Sequence, residues 1–183
     1  MTRRVNKAYR IVFQEKGPVA GMKLCLTGHF IYSALVLCYS LIDAMAWLGL
    51  PDERKTVGRK DFMDLVDKYV LPNGGLECTA ADLYSARCGV VHSMSPESQL
   101  TKSGNATELV YSWGSQKPYP SAKLRRIGIT RSMIHVDTLC NAVERGVHRF
   151  MSDVLNDKRL LRIVNVRARK VFIGNTKLPP ELP

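Results

Sequence analysis

Apolar residues recur at helical spacing through most of this 183-residue chain and lose that rhythm in one stretch. Val5, Tyr9, Val12 and Phe13 mark a short basic amphipathic helix ahead of Gly17-Pro18. Residues 19–48 are apolar on nearly every side, which predicts one long helix at the centre of a bundle, ended by Gly49-Leu50-Pro51. After a charged loop at 52–60, Phe62, Leu65, Val66, Tyr69 and Val70 draw the stripe of a third helix, and Pro72-Asn73-Gly74-Gly75 stops it. Thr79-Ala80-Ala81-Asp82 reads as a capping box, in which the threonine oxygen and the carboxylate satisfy donors that a helix start leaves free. Leu83, Ala86 and Val90 give this fourth helix its buried face, and Pro96 requires it to end by Ser95.

Residues 96–136 are irregular. Ser103-Gly104-Asn105 predicts a turn, residues 108–113 a short strand, and Lys117-Pro118-Tyr119-Pro120 a loop. Residues 126–130 or 133–136 are the two candidates to pair with that strand as a small ribbon. A last long helix is predicted from Asp137 as N-cap, with Leu139, Val143, Val147, Phe150 and Val154 as its stripe. The basic segment 158–170 either continues it or follows a break at Asn156-Asp157. Residues 174–183 read as a tail, which leaves residues 1–173 as one domain. The expected fold class is all-α: an antiparallel helical bundle with a short β-ribbon or irregular insertion at 100–136.

Composition narrows the setting. At 45% hydrophobic and 23% charged residues, the chain builds a real core and is not disordered as a whole. Cys25, Cys38, Cys78, Cys88 and Cys140 are scattered, with no CxxC and no Cys/His spacing of a zinc site. Reduced thiols in a cytosolic protein are the reading, with no metal and no cofactor expected. The basic N-terminus has no apolar run directly behind it, so no secretory signal is expected. Residues 24–42 carry no formal charge and are long enough to span a membrane. Thr27, Gly28, His29, Tyr32, Ser33, Tyr39 and Ser40 interrupt them and Asp43 closes them, so a buried helix and no membrane partner are expected.

Charge is uneven. The net value is +11, and residues 117–177 alone hold 14 Lys/Arg against 4 Asp/Glu, a local +10. Such an excess favours a polyanion, most commonly nucleic acid. Lys123, Arg125, Arg126 and Arg131 are candidate RNA-binding residues within it.

Candidate chemistry sits in the fourth helix, at Arg87-Cys88-Gly89-Val90-Val91-His92. An RNA strand carries its own nucleophile, the 2′-hydroxyl. Its cleavage needs a group to move protons near neutrality, which histidine does, and a fixed cation for the crowded phosphorane, which arginine supplies. Five residues on an ideal helix turn about 140° around the axis, so one helix alone does not stack the two side chains. A two-fold dimer would bring two copies together, and Gly89 would permit the close approach. The same residues in an ordinary bundle would be a surface ion pair and a histidine at a helix C-terminus. Asp43 is a candidate to orient His92 or pair with Arg87; Tyr84, one turn before Arg87, is a candidate to stack a base or donate to phosphate. No nucleophile elbow, phosphate loop or dinucleotide fingerprint is present.

The order of helices, with Arg-x4-His late in a capped helix, resembles the HEPN domain, an all-α antiparallel bundle. The likeness covers residues 3–95 and 137–165 in architecture and is specific around 79–98. It implies a metal-independent endoribonuclease of defence or toxin–antitoxin systems, with its site formed across a homodimer and an antitoxin or other regulatory protein as a further partner. Arg87 would then hold the phosphate and transition state, and His92 would be the general acid/base. Two positions depart from the family pattern: Cys88 stands where a polar residue, often asparagine, follows the arginine, and Met94 where some toxins carry a modifiable tyrosine. Cys88 is what favours the alternative, a non-catalytic module of the same family that binds RNA, nucleotide or a protein.

Overall fold

The computed structural model describes residues 17–73, 75–93 and 98–171. The helix expected at residues 5–13, the turn at Pro96 and the tail at 174–183 lie outside the described residues. The long apolar run is two helices rather than one: α1, Pro18–Thr27, and α2, Ile31–Gly49. The cause is local. Thr27 turns its hydroxyl back onto the carbonyls of Lys23 and Leu24. His29 takes a φ of 60°, and the amides of His29 and Phe30 return to the carbonyls of Leu26 and Cys25 at 3.0 and 2.8 Å. This is the paired-bond stop that helices make around one left-handed residue, here a histidine where glycine is usual.

Helix α2 is the axis of the molecule. Against it pack α1, α3 (Arg59–Leu65), α4 (Ala80–Ser93), α7 (Val136–Asn156) and α8 (Lys158–Val171). By length and composition α2 could cross a membrane, but half of it is buried inside the fold. The expected stripe Phe62, Leu65, Val66, Tyr69 and Val70 is buried throughout. The helix carrying it changes form, however: Val66–Val70 widen into a π turn and Leu71–Asn73 tighten into a 3₁₀ turn. Gly146 lets α7 run directly against this backbone, since a Cβ there would stand 2.9 Å from the Tyr69 carbonyl oxygen.

The capping box of α4 forms as read. Thr79 N–H donates to Asp82 Oδ2 at 2.8 Å, and Asp82 N–H donates to Thr79 Oγ1 at 3.2 Å. Asp82 has a second task that the motif does not announce: its Oδ1 accepts from Thr107 N–H at 2.6 Å, tying the start of α4 to the irregular region. That region holds the short helix α5 (Gln99–Lys102), β1 (Glu108–Ser112), α6 (Ser121–Arg126) and β2 (Arg131–His135). The strands pair in parallel, Glu108 opposite Arg131 and Ser112 opposite His135. Of the two candidate partners, residues 126–130 are not a strand, because a parallel pair needs a crossover and α6 supplies it. The hydroxyls of Tyr39 and Tyr111 meet at 2.6 Å and join α2 to β1, and burial pushes both well above the usual phenol range.

Helix α7 begins one residue before Asp137. Its N-cap is His135, whose Nδ1 accepts from the Asp137 amide at 3.3 Å. The chain then breaks rather than continuing: Asp157 Oδ1 accepts from the amides of Arg159 and Leu160 at 2.8 and 3.0 Å, capping α8. Among the described residues the result is a mainly helical fold with one two-stranded parallel sheet. Not all of the basic C-terminal third faces solvent. Arg167 is buried, donating to the carbonyls of Trp47, Pro51 and Arg54 at 2.9, 2.6 and 2.7 Å, with its guanidinium 5.0 Å from the Trp47 ring.

Candidate functional site

Packing of α4 on α2 sets Arg87 against Asp43. Both Nε and Nη2 of the arginine lie 2.8 Å from Asp43 Oδ2. The remaining terminal nitrogen, Nη1, lies 3.1 Å from His92 Nε2 and 4.0 Å from Cys88 Sγ. The two motif side chains therefore meet within one chain, against the expectation that a single helix cannot converge them. The angle between their Cβ atoms is wide, but arginine is long enough to cross it. Cys88 lies on the arc between them, and its thiol stands 4.0 Å from Arg87 Nη1. Of the two roles considered for Asp43, the structure shows the pairing with Arg87.

Arginine can only donate, so in a hydrogen bond at this contact His92 Nε2 is the acceptor. Burial disfavours charge on Arg87, but the hydrogen bond and charge of Asp43 more than offset it and hold the guanidinium above its ordinary value. The pair is half-buried, with 22% and 29% of the Arg87 and Asp43 side chains exposed, while His92 is exposed. The arginine is thus shared between a half-buried carboxylate and an exposed imidazole.

Tyr84 borders the cluster. Burial, then the neighbouring Cys88 thiol, pushes its hydroxyl upward, and Arg87 and Arg59 pull it partly back. Its ring meets Phe62 edge-on, with centroids 5.4 Å apart. Arg59, the first residue of α3, lies over the same ring at 6.0 Å. Sequence reasoning missed Arg59, and the only signal for it was a cation at a helix start on a different segment.

The other candidates fall elsewhere. Lys123, Arg125 and Arg126 are exposed on α6, and Arg131 opens β2 with its Nε 3.0 Å from Glu108 Oε2. Arg131 borders an open groove of about 630 Å³ shared with Thr79, Asp82, Thr101, Asn105 and Thr107. That groove is at the N-terminal end of α4; Asp82 is ten residues before His92, about 15 Å along the helix. The structure brings together Arg87, His92, Asp43, Cys88 and Tyr84, and places Lys123, Arg125, Arg126 and Arg131 on the β1–α6–β2 unit. Among the described residues no three His, Cys, Asp or Glu side chains are arranged to hold a metal ion. The chain matches no family model, no curated protein and no solved structure.

Proposed function

We propose that this chain is a HEPN-like, metal-independent endoribonuclease that cuts single-stranded or loop RNA, acting as a cytosolic homodimer in a defence or toxin–antitoxin setting. The observation that carries the reading is the 3.1 Å contact between Nη1 of an arginine anchored by Asp43 and Nε2 of the exposed His92. In the reaction, His92 Nε2 takes the 2′-hydroxyl proton as that oxygen attacks phosphorus. The bond from phosphorus to the 5′-oxygen breaks, and an imidazolium returns a proton to the leaving oxygen. The products are a 2′,3′-cyclic phosphate and a 5′-hydroxyl. Arg87 stabilises the phosphorane charge, while Asp43 holds one edge of the guanidinium and leaves Nη1 turned to His92. An entering phosphate draws Nη1 off His92 and frees the Nε2 lone pair, so substrate binding prepares the base. In a dimer, the second imidazole supplies the acid for the leaving group.

His92→Ala is expected to reduce cleavage by at least about 100-fold while fold and dimer persist, because the side chain is exposed. Activity should survive EDTA. A correctly folded His92→Ala protein as active as wild type would refute the reading. One observation favours the alternative of a non-catalytic binding module: the donors of Arg87 are already shared between Asp43 and His92, with the Cys88 thiol beside them. Purified protein incubated with mixed RNA separates the two. Cleavage lost on Arg87→Ala supports the nuclease; salt-sensitive binding without cleavage supports the module.

A further inference from the structure

We propose that Arg59 and Tyr84 form a second phosphate subsite, which holds the single-stranded RNA backbone next to the phosphodiester engaged by Arg87. Three observations support it. First, Tyr84 and Arg87 are three residues apart on α4 and share a face, so whatever lies on the tyrosine ring lies beside the Arg87–His92 pair. Second, Arg59 reaches that ring from another helix, its guanidinium carbon 6.0 Å from the centroid. The ring is itself fixed by the edge of Phe62 beneath it, which is fully buried. Arg59 is therefore held in place by an aromatic face, whose attraction for a cation leaves the guanidinium donors unspent. Third, Arg59 is exposed, and the carboxylates that follow it are already taken, Asp61 by Arg54 and Asp64 by Lys60. Among the described residues it has no carboxylate partner.

An exposed arginine set over a ring, with no carboxylate partner among the described residues, is suited to a repeating phosphate. The planar fork can take two oxygens of one phosphodiester. Two cations from different helices would then grip successive phosphates of one strand, fixing its register at His92. Arg59 acts as a binding residue and takes no part in proton transfer.

The inference rests on the proposed RNA substrate, so the test measures binding apart from cleavage. The probe is a 2′-O-methylated single-stranded RNA hexamer, which lacks the attacking hydroxyl. Its affinity is measured across salt concentrations for wild type, Arg59→Gln and Arg87→Gln. Arg59→Gln is expected to weaken binding about tenfold at low salt and to flatten the log–log salt dependence by about 0.7, the change for one lost single-strand phosphate contact. On an unmodified strand it should raise KM and leave kcat near wild type, and Arg59→Lys should restore part of the affinity. Arg59→Gln with wild-type affinity and salt slope overturns the subsite, as does a wild-type protein that does not bind the hexamer. If Arg59→Gln and Arg87→Gln both weaken binding while the wild-type protein cleaves no unmodified strand, the subsite stands and the nuclease reading falls.

Discussion

At the scale of single residues, Asp43 is the test of how the site is ordered. It is a carboxylate on a nearly uncharged helix, and both of its contacts to Arg87 run through one oxygen. Asp43→Asn keeps an acceptor but removes the counterion from a half-buried guanidinium. Stability should fall by about 1 kcal/mol, read as a drop of a few degrees in Tm. In single-turnover cleavage the rate should fall about tenfold, with RNA affinity less affected, because Arg87 loses its orientation rather than its charge. Unchanged Tm and rate would mean that the pair orders nothing. Cys78 offers an independent check on packing. Its thiol is pushed up to about 12 by burial and then by the Asp82 charge. On the order of one thiol in ten thousand is then ionised at pH 8, so alkylation should be slow in the folded protein and fast in urea. Arg87, His92 and Asp43 were each legible in the sequence as chemistry. The pairing of Arg87 with Asp43 was legible as one of two alternatives, but its contact with His92 was not, because helical angles describe Cβ directions and say nothing of how far an arginine reaches.

Whole elements were legible where one stripe of side chains decided them, as with Phe62 to Val70 and Leu139 to Val154. They were illegible where backbone geometry decided. No charge or proline marks Gly28 and His29 as a boundary, and the left-handed φ of 60° at His29 makes the stop between α1 and α2. The strand at 108–112 was legible, whereas its parallel pairing depended on α6, a helix of six residues too short for periodicity. The crossing of α7 over the π turn gives the sharpest prediction at this scale. Alanine is the better helix former by about 1 kcal/mol, so Gly146→Ala in an open helix would stabilise. Here the added Cβ would meet the Tyr69 carbonyl oxygen at 2.9 Å, and that atom belongs to backbone. Overpacking of this kind costs about 1–3 kcal/mol. Gly146→Ala should therefore destabilise in urea unfolding; a gain in stability would show that the two backbones separate easily.

For the molecule as a whole, charge total was legible and charge placement was not. The C-terminal excess reads as one basic face, yet Arg167 from it is buried among carbonyls at the end of α2 and the loop that follows. Arg167→Met would remove the shared donor of those carbonyls and should cost about 2–4 kcal/mol, visible as a lower urea midpoint. Acid sensitivity follows from where the carboxylates sit. Arg54 holds Asp61 below its usual range through a hydrogen bond, and Lys68 and then Tyr69 do the same for Asp153. A depressed carboxyl gives its full stabilisation above its unfolded value, about 4, and loses it as pH falls through the lower folded value. Their cationic partners Arg54 and Lys68 are 50% and 62% exposed, so solvent screening keeps each contribution small. The direction is still fixed: below about pH 4 the unfolded chain takes up protons before the folded one. With a net charge of +11, every neutralised carboxylate also adds to self-repulsion. The urea midpoint should stay level from pH 7 to pH 5 and fall towards pH 3. Asp153 joins the π turn to α7, through Tyr69 Oη at 2.8 Å and Lys68 Nζ at 3.0 Å. Asp153→Asn should therefore start lower at pH 7 and lose less on acidification, because asparagine has no proton to gain. An equal loss in both proteins would show that this contact contributes nothing to the acid response.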